Sequence, residues 1–116
     1  MRQRFDRDLT CNDFIAYLMT VNDEELDRIF KALGDPTRRR IIDRLRERPN
    51  QSLFEICALS VAEDGTALSR QAITQHLDLL EKAGLVRIEW SGRTKIHAFD
   101  PGPLREAISM WLSKHL

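Results

Sequence analysis

A chain of 116 residues is long enough for one hydrophobic core and too short for two independent domains. With 42% apolar and 31% charged residues, and eighteen basic side chains matching eighteen acidic ones, its composition is that of an ordinary folded protein and excludes a disordered one. The zero net charge hides an uneven distribution: residues 1–27 carry three basic and seven acidic side chains, residues 28–48 eight and three, and the rest seven and eight.

The opening Met1-Arg2-Gln3-Arg4-Phe5-Asp6-Arg7-Asp8 is too charged for a signal peptide, and the apolar run at 15–21 falls far short of the roughly 20 residues that span a bilayer. No membrane partner and a cytoplasmic location are therefore expected. Cys11 and Cys57 form no CxxC pair, which argues against a disulfide framework or a tetrahedral zinc site and treats each cysteine as a small apolar residue.

Residues 10–20 read as a first helix with Phe14, Tyr17, Leu18 and Val21 on one side. Asn22 or Asp23 caps a second, whose acidic first turn suits the positive end of the helix dipole; Leu26, Ile29, Phe30 and Leu33 repeat at helical spacing, and Gly34 stops it. Asp35-Pro36 is a cap followed by a proline at the first helical position, so a third helix runs to about Arg48 and ends before Pro49, with Ile41, Ile42 and Leu45 as its buried stripe. In its Arg38-Arg39-Arg40 run, Arg38 falls on that stripe, while Arg39 and Arg46 are spaced to pair with Asp43, so most of the run reads as structural. Ser52 to Glu55 has the capping-box pattern and opens a short helix through about Leu59, placing Leu53, Phe54, Ile56 and Cys57 toward the core; a polar loop follows at 63–66.

Ser69 caps a helix that continues through Ala83 to a terminating Gly84. Projection at 100° per residue gathers Ala72, Ile73, His76, Leu77, Leu79 and Leu80 on one arc and Arg70, Gln71, Thr74, Gln75, Asp78 and Lys82 on the other. His76 thus reads as a half-buried packing histidine. Val86, Ile88 and Trp90 alternate with charged residues, as do Thr94, Ile96 and Ala98, which predicts a β-hairpin. A three-residue loop, Ser91-Gly92-Arg93, would pair Ile88 with Ile96 and Glu89 with Lys95 and put Arg93 at the tip. A last helix over 103–115 carries Leu104, Ala107, Ile108, Trp111 and Leu112 on one face.

The fold class that follows is mainly α with a small β-hairpin: a short helix, a connection, a helix with a polar outer face and a basic-tipped hairpin, the order of a winged helix-turn-helix. The chain resembles the ArsR/SmtB family of bacterial winged-helix repressors in three stretches: Phe30-Lys31-Ala32-Leu33-Gly34-Asp35-Pro36-Thr37-Arg38, Ser69-Arg70-Gln71-Ala72-Ile73-Thr74-Gln75-His76-Leu77, and the Leu-Glu-Lys-Ala-Gly-Leu-Val that ends at Val86. The resemblance covers about residues 26–116. It implies a homodimer that binds double-stranded operator DNA, with a helix-turn-helix at 53–83, a wing at 86–99, and dimerisation through an N-terminal extension at 1–21 and the helix at 103–115. In many members an effector releases the DNA, so a small-molecule effector of unknown identity is a further expected partner. Metal sensors of the family carry a Cys-x-Cys where this chain has Cys57-Ala58-Leu59, and a carboxylate with histidines along the last helix, where Glu106 and His115 stand nine residues apart. The chain is thus similar to the metal-independent branch, with no cofactor and no metal site expected.

Within this frame Ser69, Arg70, Gln71, Thr74 and Gln75 are candidate major-groove contacts, since Gln pairs with adenine, Arg with guanine, and Ser or Thr with phosphate or bases. Ser91, Arg93 and Lys95 are candidate contacts from the wing. Phe14, Tyr17, Leu18, Leu104, Ile108, Trp111 and Leu112 are candidates for the dimer interface, because so much apolar surface exceeds what one small core covers. No catalytic constellation or phosphate-cradling glycine loop is present in the sequence, so no enzyme is expected. Two alternatives stay open: a winged-helix module used for protein contact, and a metal- or redox-responsive repressor using Cys11 and Cys57.

Overall fold

The computed structural model describes residues 23–59 and 67–116. Helix α1 covers residues 23–33, α2 Pro36–Glu47, α3 Leu53–Leu59, α4 Arg70–Lys82 and α5 Gly102–Met110; the strands are β1 Gln51–Ser52, β2 Val86–Ser91 and β3 Thr94–Phe99. The expected helix at 10–20, the dimer candidates Phe14, Tyr17 and Leu18, Cys11 and the loop at 63–66 lie outside the described residues.

Local capping chemistry sets the helix ends. The Asp35 carboxylate accepts from the Arg38 backbone N–H at 3.1 Å and opens α2, with Pro36 supplying a first position that needs no donor. Ser52 and Glu55 form a reciprocal capping box at α3: the Ser52 N–H donates to Glu55 Oε1 at 2.8 Å and the Glu55 N–H to Ser52 Oγ at 3.2 Å. The backbone bond from Ser52 holds the exposed Glu55 carboxyl below its ordinary range. Ser69 Oγ accepts from the Ala72 N–H at 3.0 Å to start α4. At its other end Gly84 takes φ +79°, and the Leu85 and Gly84 N–H groups donate to the Leu80 and Glu81 carbonyls, the two bonds of a Schellman motif.

Gly34 ends α1 by a different route. Its φ is not in the left-handed region, and the last carbonyls of α1 are taken by arginines instead: Lys31 and Ala32 by Arg38, and Leu33 by Arg39 Nη1 at 2.6 Å. Arg39 is therefore a cap for α1, whereas Arg46 reaches Asp43 at 3.9 Å as the spacing predicts.

One core joins Ile41, Ile42 and Leu45 of α2, Ile56 of α3, Ile73, Leu77 and Leu80 of α4, and Leu85 and Val86 beyond it. A smaller cluster packs Leu26 and Ile29 of α1 against Ala107 of α5. The short β1 joins the hairpin to make a three-stranded antiparallel sheet of order β1-β3-β2. It has no counterpart in the sequence reading, because two residues are too few to show a period.

The hairpin register differs from the three-residue expectation. Ser91 pairs with Thr94, so the loop is Gly92-Arg93, and Ile88 faces His97 while Glu89 faces Ile96. Gly92 at φ +62° occupies the first central position, the signature of a type II′ turn, whose twist suits adjoining strands. The one-residue change in the loop turns β3 over, so that His97 enters the core side at 4% exposure and Ile96 is only half-buried.

The buried His97 is satisfied by donating from Nδ1 to the Gln51 carbonyl at 3.0 Å, a bond that also holds β1 to β3. Desolvation of the ring holds His97 below the ordinary imidazole range; the Gln51 carbonyl pulls the other way and nearby Lys95 adds to the lowering. The unfolded chain then takes this proton at higher pH than the folded one, so the contribution to stability is full above the unfolded value of about 6.5 and falls as pH drops below it. The urea midpoint is expected to decline between pH 7 and pH 5.5, and His97→Asn, which keeps an amide donor but does not titrate, to decline less. An unchanged pH dependence in the variant would contradict this.

The last helix is shorter than 103–115. It ends at Met110; Trp111 turns out of helical geometry at φ −142°, ψ −48°, and a 3-10 turn follows at Leu112–His115. The turn sets the Trp111 ring edge-on to Phe30 of α1, centroids 6.2 Å apart, and 4.4 Å from the His115 ring.

Candidate nucleic-acid interface

Helix α4 buries Ile73, Leu77 and Leu80 and leaves Arg70, Gln71, Thr74 and Gln75 exposed, as the 100° projection predicts. Two polar side chains are partly used by the helix itself: Ser69 Oγ is the N-cap, and Thr74 Oγ1 donates its proton to the Arg70 carbonyl at 2.9 Å, leaving its lone pairs as acceptors. Farther along, Asp78 is paired with Lys82 at 3.0 Å, which offsets part of the negative charge at the C-terminal end.

The wing rises beside this helix. Arg70, Thr74 and Gln75 from α4 and Arg93, Thr94 and Lys95 from the hairpin line one groove of about 720 Å³. Ser69 and Gln71 are exposed at the start of α4, and Ser91 at the end of β2, but none of these three lines the groove. Three cations, Arg70, Arg93 and Lys95, share this cleft with the hydroxyl and amide side chains of Thr74, Gln75 and Thr94, while Asp78 and Glu81 line it from the C-terminal half of α4. Its cationic part suits a polyanion whose edges present hydrogen-bond donors and acceptors.

Two exposed aromatic residues of the groove were not among the sequence candidates. Phe54 was placed toward the core, yet it is 72% exposed because α3 turns Ile56 inward and leaves the preceding phenylalanine on the groove wall. Trp90 shares its strand face with Val86 and Ile88 but lies beyond the covered part of the sheet, opposite Lys95, and is 66% exposed. Period-2 alternation gives the face of a strand residue, not how far along the strand the core extends. His76 is half-buried as expected, with one addition: its Nδ1 meets the Arg38 guanidinium at 3.2 Å.

The dimer candidates on the described C-terminal segment divide. Leu104 and Leu112 are half-buried, whereas Ile108 and Trp111 remain 48% and 44% exposed, Trp111 against Phe30. The nine-residue spacing of Glu106 and His115 is broken by the turn at Trp111, which puts them in different elements. No described helix is long and apolar enough to cross a membrane.

A family model described as a helix-turn-helix domain matches residues 33–89, the stretch from the end of α1 through most of β2. The HTH-type transcriptional regulator YuzN of Bacillus subtilis is 41% identical over 86 residues, covering 74% of this chain and 94% of that protein. The transcriptional repressor SdpR of the same organism is 27% identical over 88 residues, covering 76% of this chain and 90% of that protein. Among solved structures, an ArsR-like transcriptional regulator from Rhodococcus superposes with a TM-score of 0.66 at 30% identity, covering 78% of this chain and 79% of that one. An exposed polar helix, a basic wing beside it and this set of relatives lead to one conclusion: the chain belongs to the ArsR-like family of winged helix-turn-helix regulators, and it is a DNA-binding transcriptional regulator, not an enzyme.

Proposed function

We propose that the protein is a cytoplasmic, homodimeric repressor that reads an inverted-repeat operator with α4 and grips the flanking backbone with its wing. The observation that carries this reading is the single groove shared by Arg70, Thr74 and Gln75 of the helix and Arg93 and Lys95 of the wing. Gln71 and Gln75, one helical turn apart on the exposed face, read base edges; Arg70 reads bases or phosphate; Thr74, its proton held by the Arg70 carbonyl, accepts from a base-edge donor; Ser69, Ser91, Arg93 and Lys95 contact the DNA backbone. Trp90, with an indole N–H that only donates, adds a neutral contact to the same strand. A second copy covers the exposed Ile108 and Trp111, and the dimer axis places two recognition helices about 34 Å apart, one turn of B-DNA.

Selection of bound duplexes from random DNA, followed by mobility shift, tests this reading. Enriched sites with two-fold symmetry support it; recovery of unrelated sequences at equal affinity contradicts it.

The repressor acts without metal. Cys57 is half-buried and has Leu59 where a second thiolate would stand, and one cysteine per helix closes no tetrahedral site. A small-molecule effector would release DNA by changing the spacing of the two recognition helices. Stoichiometric zinc, cadmium or arsenite is expected to leave the shifted band unchanged. Loss of the band on adding metal, abolished by Cys57→Ser, would contradict this and favour the metal-responsive alternative.

A further inference from the structure

The Arg38 side chain ties three helices together. Its Nε donates to the Ala32 carbonyl at 2.8 Å and its Nη2 to the Lys31 carbonyl at 2.9 Å, closing the last turn of α1, while Nη1 lies 3.2 Å from Nδ1 of His76 on α4. A guanidinium has donors and no acceptor, so His76 Nδ1 must offer a lone pair and the ring proton sits on Nε2. The same Nδ1 lies 3.9 Å from Oδ2 of Asp35, the carboxylate that caps α2.

One ring nitrogen therefore stands between partners of opposite demand. The neutral imidazole accepts from Arg38. The imidazolium carries a proton on Nδ1, can only donate there, and turns from Arg38 toward Asp35. Among the described residues the charged groups that meet the ring are these two, both from α2 and its cap; α1 enters the network through the Lys31 and Ala32 carbonyls. Because α1 packs on α5 through Leu26, Ile29 and Ala107, the network joins the Trp111 side of the molecule to the helix that bears Gln71 and Gln75.

We propose that His76 is a positioning residue for DNA recognition: as a neutral acceptor for Arg38 it seats α4 against the α1–α2 joint, and its protonation loosens that seat and lowers discrimination between DNA sequences. This rests on the reading of α4 as the recognition helix.

The test is fluorescence anisotropy with two probes, the tightest duplex recovered by selection and a scrambled duplex of the same composition, from pH 8 to pH 5. The wild-type ratio of affinities is expected to fall about tenfold on acidification, the effect of losing one hydrogen bond to a charged group. His76→Asn places an acceptor oxygen near the Nδ1 position and does not titrate, so it should hold the pH 8 ratio throughout. His97 and His115 are present in both proteins, so any effect they have is common to the two. His76→Leu should show the low ratio at pH 8. Should that variant fold poorly, ¹⁵N NMR of the wild-type imidazole at pH 8 reads the tautomer directly, with the proton expected on Nε2. A pH-independent wild-type ratio, an equal fall in His76→Asn, or a proton on Nδ1 at pH 8 would overturn the proposal. Wild-type protein that tells no duplex from another at pH 8 would overturn the recognition reading and the proposal together, a result distinct from the others.

Discussion

Trp111→Glu is expected to convert a dimer into a monomer and to weaken DNA binding about a thousandfold. Trp111 is 44% exposed against Phe30, itself 36% exposed, and Ile108 three residues earlier is 48% exposed, so the fold of one chain leaves the indole half-covered. Tryptophans in such positions dominate interface energies, and a carboxylate buried there against a second copy has no compensating partner. Losing the dimer also loses the effective concentration with which the second recognition helix finds its half-site, a factor of about 10²–10⁴. Sedimentation velocity at micromolar concentration and a mobility shift on the same samples measure both effects. A wild-type monomer, or a variant that stays dimeric, would remove the basis for the inverted-repeat operator.

Leu80→Ala carries the largest expected cost in stability. Leu80 has no exposed surface, sits on the buried face of α4 in the core that holds Ile73, Leu77 and Leu85, and also supplies the carbonyl that accepts the Leu85 N–H in the helix-ending motif. Truncating a leucine so placed costs about 2–5 kcal/mol through lost transfer energy and the cavity left behind. That is a large part of the roughly 5–15 kcal/mol that holds a domain folded. Urea unfolding of wild type and variant at equal protein concentration, needed because dimerisation adds to apparent stability, gives the difference. A loss below about 1 kcal/mol would mean that the site collapses around the smaller side chain.

The parts of the fold that were legible in the sequence are those fixed by short-range chemistry. Asp35-Pro36, the Ser52–Glu55 capping box, Ser69 and Gly84 each mark a helix end within a few residues, and each makes its bond in the folded chain. The illegible parts depend on distant partners. The register of β2 and β3 turned on whether Ser91 belongs to the loop; two apolar patterns overlap in β3, Ile96 with Ala98 and His97 with Phe99, and the Gln51 carbonyl favours the second by satisfying the histidine. The break at Trp111 has neither glycine nor proline to announce it, and it lets the indole meet Phe30 some eighty residues earlier in the chain. Arg38 and Arg39 looked like members of a charged run, and their role as caps of α1 required knowing how α1 and α2 meet.

In the candidate site, helical periodicity was enough to pick out Arg70, Thr74 and Gln75, and Arg93 stays at the hairpin tip in either register. Phe54 and Trp90 were missed because their exposure depends on where the core stops, which no local pattern encodes.

The division of labour between helix and wing is tested most directly by the slope of log affinity against log salt for wild type, Gln71→Ala and Arg93→Ala, on a selected and a scrambled duplex. Gln71 is uncharged, so Gln71→Ala should leave the slope as it is, cost about 1–3 kcal/mol on the selected site and relax discrimination at one base position per half-site. Arg93, exposed at the tip of the wing, should behave in the opposite way: both duplexes weaken alike, and the slope becomes shallower by about one unit for each phosphate contact removed. An unchanged slope in Arg93→Ala, together with equal weakening of both duplexes in Gln71→Ala, would contradict the assignment of reading to α4 and of backbone grip to the wing.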